Sequence, residues 1–140
     1  MRIHSIYSLI VMMIMTMFVS SCTAESELEK ESEESVRYYV KYEVTFMTQH
    51  INAEKHFTVM TDKGAEDFTF DEEKKTSTWE GTYGPVAKDF VASIKCSVPD
   101  YRYSSVIQSR IYISREKEPF VIKAEGTGKY SLNLQATIDF

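Results

Sequence analysis

The chain contains little cysteine, proline or glycine: two, three and five residues, respectively, among 140. Two cysteines are too few for the sets of disulfides, or for the four-thiolate zinc sites, that support many small domains. The five glycines form no phosphate-binding loop, and no serine or cysteine lies in a nucleophile-elbow motif. We therefore expect a non-catalytic protein that carries no cofactor.

An excess of positive charge is also lacking, since 16 lysines and arginines stand against 21 aspartates and glutamates. Segment 23–35 contains six glutamates and one lysine, so it carries nearly all of the net charge of −5. The rest of the chain is close to neutral and offers no basic surface for a phosphate backbone. We expect no binding of nucleic acid.

The first 21 residues have the pattern of an export signal. Arg2 precedes a mostly apolar run at 6–19, which is shorter than the ~20 residues of a membrane-spanning helix. The run leads to Val19-Ser20-Ser21-Cys22, which resembles the lipobox of bacterial lipoproteins. The resemblance implies cleavage before Cys22 and attachment of diacylglyceryl and fatty-acyl groups, such as palmitate, to that residue. Two or three acyl chains would anchor the protein stably in a membrane.

Residues 22–35 are expected to form a disordered acidic tether between the lipidated cysteine and a folded domain. Leu28 is the one apolar residue larger than alanine in 23–35, so the segment cannot bury enough surface to offset its ordering entropy. An acidic run after the cysteine is similar to the surface-export signal of Bacteroidota lipoproteins, and Thr23 is not the aspartate of inner-membrane retention signals. These resemblances imply an outer-membrane lipoprotein of the cell envelope that is exposed on the cell surface.

Residues 36–140 alternate between apolar and polar side chains, which is the period of strands with one buried face. Turn residues divide the segment into seven or eight short strands, and no amphipathic helix is predicted. One dry face per strand predicts an all-β, antiparallel, immunoglobulin-like β-sandwich, with a closed barrel as the alternative. The inward-pointing positions of the first strand are predicted to be Tyr38, Val40, Tyr42, Val44 and Phe46.

Two later strands carry specific expectations. Cys96 lies on the apolar register of its strand, so we expect a small buried core residue and not a reactive thiol. A turn at 115–118 predicts a hairpin whose second strand points Phe120, Ile122 and Ala124 inward.

A second resemblance covers the last two thirds of the domain. The stretch 77–94 (STWEGTYGPVAKDFVASI), the stretch RIYISREKEPFVIKAEG and the alternating last strand resemble small lipoproteins of gut Bacteroidota. This chain and those lipoproteins are both similar to the periplasmic sandwich of the MmpS family, whose members are membrane-anchored partners of lipid exporters. This resemblance implies an anchored, non-catalytic accessory module and assigns no ligand-binding residue.

Some side chains have the chemistry of a metal or catalytic site without its spacing. His50 and His56 lie six residues apart without cysteine companions, which matches no standard zinc pattern. The acidic residues near two turns could offer oxygen ligands to calcium, but lysines are interleaved and no EF-hand loop exists, so we expect no metal. Glu80 and Asp89 flank the Trp79–Phe90 stretch and could form a carboxylate pair for glycoside hydrolysis, but their spacing does not show that they lie across a cleft. The acidic residues near the turns are Asp62, Glu66, Asp67, Asp71, Glu72 and Glu73.

The most promising binding surface is the loop PDYRYSS, which carries Tyr101, Arg102 and Tyr103. Two tyrosines around an arginine on a loop are typical of contact surfaces for proteins or sugar rings. Trp79 and Tyr83 would extend this surface if they point outward, whereas the alternative places Trp79 in the core and folds Tyr101 back over the sheet. Two functional hypotheses follow: a module that binds an envelope protein, or a glycan-binding surface lipoprotein.

Overall fold

The structure is a computed structural model that describes residues 36–70 and 73–139. The predicted signal peptide with its helix, Cys22, the acidic tether, Asp71 and Glu72 lie outside the described residues. The described part contains eight strands and no helix. The strands are β1 (Tyr38–Thr48), β2 (Lys55–Thr61), β3 (Gly64–Phe70), β4 (Thr76–Val86), β5 (Val91–Ser97), β6 (Ser105–Arg115), β7 (Val121–Gly128) and β8 (Ser131–Thr137).

The eight strands form two antiparallel sheets of four strands each. Sheet 1 has the order β4-β1-β6-β7, and sheet 2 has the order β3-β2-β5-β8. The sheets pack face to face, so the predicted antiparallel β-sandwich is confirmed, at the higher of the two predicted strand numbers.

The alternation of β1 places its apolar side chains in the space between the sheets. At most 1% of the surface of each is exposed for Val40, Tyr42, Val44 and Phe46. The residues between them are half-buried on the outer face of the sheet. Sheet 2 contributes Phe57, Val59, Ile94 and others from its inner face. The inward register predicted for β1 is therefore confirmed.

The two halves of the domain have the same connectivity. In β1–β4, the middle strands form a hairpin in sheet 2 while the outer strands pair in sheet 1. In β5–β8, the middle strands form a hairpin in sheet 1 while the outer strands pair in sheet 2. The halves join through the pairs β1–β6 and β2–β5.

This connectivity gives the sandwich two distinct ends. We call the end at which the chain enters β1 the near end; Tyr38 pairs there with both Val86 and Arg115. The connections β2–β3, β4–β5 and β6–β7 also lie at the near end. The far end carries the connections β1–β2, β3–β4, β5–β6 and β7–β8, as the pairing of Thr48 with Ser105 indicates.

The start of β7 departs from the predicted register. The β6–β7 hairpin forms as predicted, but the pairing shifts at Ile111/Tyr112. Phe120 and Ile122 are 41% and 48% exposed, so their predicted inward orientation is wrong. β7 is an edge strand, and a bulge turns the side chains of such a strand out of strict alternation.

Cys96 lies in the core, as its position in the alternating pattern predicted. Its side chain is 4% exposed, and burial raises the pKa of the thiol to about 12. A thiol that is protonated at neutral pH and shielded from solvent is a poor nucleophile.

A buried lysine is a feature that the sequence analysis missed. Lys55 occupies an inward position at the start of β2 and is fully buried. Its ammonium group donates a hydrogen bond of 2.8 Å to the backbone carbonyl of Lys74 in the β3–β4 connection. The contact ties β2 to that connection at the far end.

Candidate binding surface at the far end

The aromatic loop joins β5 to β6 and is fixed at both of its ends. Val98 is buried, and its backbone NH donates a hydrogen bond of 2.8 Å to the carbonyl of Tyr130. At the other end, the NH of Gln49 donates to the carbonyl of Ser104 at 2.9 Å. The loop therefore contacts the neighbouring β1–β2 and β7–β8 connections.

Within the loop, Asp100 fixes the position of Arg102. The carboxylate accepts two hydrogen bonds from the guanidinium group, from Nε at 2.9 Å and from Nη2 at 3.0 Å. It also accepts one from the backbone NH of Arg102 at 3.1 Å. These hydrogen bonds lower the pKa of Asp100 and raise the pKa of Arg102. The guanidinium group is held in one place although the side chain is 82% exposed.

Tyr103 stacks on a residue from another loop. Its ring centroid lies 4.6 Å from that of His50, with 22° between the planes. The guanidinium carbon of Arg102 lies 5.8 Å from the centre of the same tyrosine ring. Since His50 covers one face, Tyr103 is half-buried and presents only part of its ring to solvent.

Tyr101 is the exposed aromatic residue of this surface. The side chain is 69% exposed and leans edge-on against Tyr130, at 4.9 Å between ring centroids and 63° between planes. A shallow depression of about 430 Å³ beside the loop is lined by Asn52, Glu54, Pro99, Asp100 and Arg102. We call the set His50, Tyr101, Arg102, Tyr103 and Tyr130 the aromatic tip.

The structure does not bring Trp79 to the aromatic tip. Trp79 lies in the middle of β4, opposite Val44 of β1, and its ring packs against Phe57 at 4.8 Å and Phe68 at 4.9 Å. A Cβ atom at Gly81 would lie 2.6 Å from the indole, so this glycine leaves room for the ring. This position agrees with the alternative in which Trp79 packs in the core, and not with one in which it forms a platform at the surface.

The histidines that could serve as metal ligands do not lie together. His56 contacts Thr69 at 3.0 Å and Glu54 at 3.5 Å, whereas His50 stacks in the tip. Among residues 36–70 and 73–139, no group of three or more histidine, cysteine, aspartate and glutamate side chains is placed to hold a metal ion.

Glu80 and Asp89, the carboxylate pair for glycoside hydrolysis, also lie apart from one another. Glu80 forms an ion pair with Lys41 at 3.1 Å on the outer face of sheet 1. Asp89 lies beyond the end of β4, in the β4–β5 connection at the near end. The second half of β4 separates them, so they do not face one another across a cleft.

A second depression, of about 410 Å³, lies on the outer face of sheet 1 around Glu43, Arg110 and Glu125. Its charged groups already contact one another. Glu43 accepts a hydrogen bond of 2.6 Å from the hydroxyl of Tyr112, and Arg110 lies 3.5 Å from Glu125. Each carboxylate of this depression therefore has a partner within the outer face of sheet 1.

Sequence reasoning found the loop but missed His50 and Tyr130 as its neighbours. These residues lie on other connections, and only the strand order brings the connections together.

No helix in the described part of the chain is long and apolar enough to cross a membrane. Comparison of the chain with family models, with curated proteins and with solved structures finds no match to any of them.

Proposed function

We propose that the protein is an outer-membrane lipoprotein, anchored by acyl chains on Cys22, whose β-sandwich binds another envelope protein and performs no catalysis. Such a module resembles the MmpS-like accessory proteins in being anchored and non-catalytic. The observation that carries the proposal is the position of the aromatic tip, at the opposite end of the sandwich from the point where the chain enters. A surface so placed lies about the length of β1 from Val36, where the chain enters the domain, and is open to other molecules.

The distance between the two ends supports this arrangement. β1 spans eleven residues from the near end to the far end, which is a rise of roughly 35 Å at ~3.3 Å per residue. The aromatic tip would therefore contact partners beyond the headgroup layer, as expected of a surface-exposed lipoprotein.

The composition of the tip favours a protein partner. Tyrosine and arginine are enriched in the energetic centres of protein interfaces, where a fixed side chain loses little entropy on binding. Asp100 holds Arg102 in place before binding, and Tyr130 supports Tyr101 from the side. The glycan alternative requires ring faces open for stacking, and His50 covers one face of Tyr103.

The proposal is tested in the organism's own membranes with the photo-crosslinking amino acid p-benzoylphenylalanine in place of Tyr101. We expect a covalent adduct with one defined protein, and we expect Arg102→Ala to reduce its yield. The matched control places the same amino acid at Lys95, an exposed residue in the middle of β5, where no such adduct is expected.

Two further measurements separate the alternatives. Mass spectrometry of the mature N-terminus should show acylated Cys22; an unmodified thiol there would contradict the anchor. Electrophoresis in gels containing surface polysaccharide would reveal glycan binding, and retardation that Tyr101→Ala abolishes would replace the protein partner with the glycan. The interaction proposal fails if Tyr101 gives neither adduct nor retardation.

A further inference from the structure

Exposed apolar side chains are concentrated at the near end of the sandwich. Among the described residues, six large apolar or aromatic side chains are exposed, and four of them lie at this end. Three are consecutive: Phe120, Val121 and Ile122, at 41%, 52% and 48% exposure. Val91, the fourth, begins β5 and is 46% exposed. The aromatic tip accounts for none of these four residues.

The local structure explains why Phe120, Val121 and Ile122 remain uncovered. β7 lies at the edge of sheet 1, so its outer side has no neighbouring strand in the described part of the chain. The shift of register at Ile111/Tyr112 turns the start of β7 away from the core. Sheet edges usually carry charged residues at such positions, and consecutive exposed apolar residues mark a contact surface.

These residues lie beside the point where the chain enters the domain. The backbone NH of Glu116, in the β6–β7 connection, donates a hydrogen bond of 2.7 Å to the carbonyl of Arg37. Val36 packs against the core, so the position at which the preceding segment leaves the domain is fixed. Phe120, Val121 and Ile122 therefore lie next to the point at which the preceding segment joins the domain.

The length of the preceding segment sets how far the near end can lie from an anchor at Cys22. Fourteen peptide steps separate Cys22 from Val36, so an anchor at Cys22 keeps Val36 within about 50 Å, the fully extended length at ~3.3–3.6 Å per residue. The near end can therefore reach the lipid headgroups of a bilayer that holds this anchor. The anchor itself is part of the proposed function, and the present inference rests on it.

We propose that Phe120, Val121 and Ile122 form a membrane seat: a contact surface that enters the headgroup layer of the bilayer in which Cys22 is anchored. Apolar and aromatic side chains are stable at this depth, where hydrocarbon begins and water is still present. The seat orients the sandwich with its near end on the lipid and its aromatic tip in solution.

The charges of the near end indicate which lipid chemistry the membrane seat requires. In the connections and chain ends described at this end, five exposed cations are interleaved with five exposed acids, so the surface is close to neutral. The contact should therefore form on zwitterionic lipid and depend little on salt, in contrast to polybasic membrane binding. The cations are Arg37, Lys63, Lys88, Arg115 and Lys117, and the acids are Asp62, Asp89, Glu116, Glu118 and Asp139.

The test uses the full chain, purified from the organism's own membranes and mixed with phosphatidylcholine vesicles. A fluorophore is attached to Ile122→Cys, because Cys22 would be a thioether and Cys96 is buried. Spin-labelled phosphatidylcholine should quench this probe several-fold more than the same probe at Thr127→Cys, near the other end of β7, or at Tyr101→Cys in the aromatic tip. Quenching at Ile122 that merely equals the two controls overturns the membrane seat.

A second variant guards against an effect of labelling. With the probe at Phe120→Cys, the change Val121→Ser/Ile122→Ser should reduce quenching to the level of the controls while the urea midpoint of unfolding stays close to that of the parent. Exposed positions tolerate such changes. Energy transfer between labelled copies without quenching by lipid would identify a second copy as the occupant and would overturn the inference.

The same preparation distinguishes the two levels of the proposal. Protein that does not float with the vesicles contradicts the anchor and, with it, both proposals. Protein that floats but shows equal quenching at Ile122, Thr127 and Tyr101 contradicts the membrane seat alone.

Discussion

The hydroxyl group of Tyr42 donates a hydrogen bond of 2.6 Å to the backbone carbonyl of Met60, and this bond crosses from sheet 1 to sheet 2. Tyr42 is fully buried in the middle of β1, and burial raises the pKa of its hydroxyl group. The two layers are thus joined by a directed polar contact within a mostly apolar core. A buried hydrogen bond of this kind specifies how one sheet lies on the other.

The change Tyr42→Phe should lower the free energy of unfolding by about 1 kcal/mol, because the Met60 carbonyl loses a partner. The raised pKa adds a dependence on pH: the stability due to Tyr42 is complete below the ordinary tyrosine pKa of about 10 and declines as the pH rises through the folded value. Urea unfolding followed by Trp79 fluorescence between neutral and alkaline pH checks both effects. Equal alkaline slopes in the parent and the variant would contradict the role of Tyr42.

Cys96 should not react with maleimide at pH 8 in the folded protein, because burial raises the pKa of its thiol to about 12 and keeps the reagent out. In urea, the acylated chain should titrate one thiol, while an unprocessed precursor should titrate two. The count of thiols therefore reports on Cys22 independently of mass spectrometry. Rapid labelling of Cys96 under native conditions would show that the core opens there.

Glu43 should contribute to stability in neutral but not in acidic solution. Burial alone would raise the pKa of Glu43, but the hydrogen bonds from Tyr112 and Lys41, together with the nearby positive charges, lower it overall. Its contribution is then present above the ordinary glutamate pKa of about 4.3 and is lost as the pH falls through the lower folded value.

The change Glu43→Gln tests this dependence. It should cost less than about 1 kcal/mol at pH 7, since the group is partly exposed, and nothing measurable at pH 2. Glu80→Gln, at a side chain that is 69% exposed, is the control with the smaller expected effect. A cost for Glu43→Gln that is the same at both pH values would contradict the electrostatic explanation.

Gly84→Ala should destabilise the protein more than Gly64→Ala does. Both glycines have positive φ, at 132° and 112°, so alanine is strained at either site. At Gly84 the added Cβ would also lie 2.8 Å from the carbonyl oxygen of Tyr38, whereas at Gly64 it meets nothing within 4 Å. Backbone strain alone costs about 1–3 kcal/mol, and only Gly84 adds a steric clash. Thermal unfolding of the two variants gives the comparison, and equal losses would contradict the clash.

Trp79→Ala and Tyr101→Ala should separate a packing role from a surface role. Removing the Trp79 ring from its contacts with Phe57 and Phe68 should cost about 3 kcal/mol. Removing Tyr101, which is 69% exposed, should change stability by less than about 0.5 kcal/mol. Unfolding followed by circular dichroism measures both variants, and the reverse ranking would show that the two aromatic residues have exchanged roles.

The sequence predicted the features that depend on neighbouring residues. Alternation identified β1 and the burial of Cys96, and the composition of PDYRYSS identified an exposed loop. Phe120 and Ile122 were misplaced because a shift of register at Ile111/Tyr112 is a property of two paired strands and not of one segment. Lys55 was overlooked because its burial depends on a carbonyl in another connection.

The sequence alone did not predict which residues form the aromatic tip, for a related reason. His50 and Tyr103 meet only because β1 and β6 lie side by side in sheet 1. Strand order arises from long-range packing and leaves no periodic signal in the chain.

The central position of β1 has a consequence for how the chain acquires its fold. One of its neighbours, β6, follows late in the sequence, as the pairing of Glu43 with Arg110 indicates. Contacts so distant along the chain form slowly, because a long loop must close before they contribute. A polypeptide synthesised from its N-terminus leaves β1 without this neighbour until most of the domain has been made. The sandwich can therefore close only late in synthesis, when β6 is available to pair with β1.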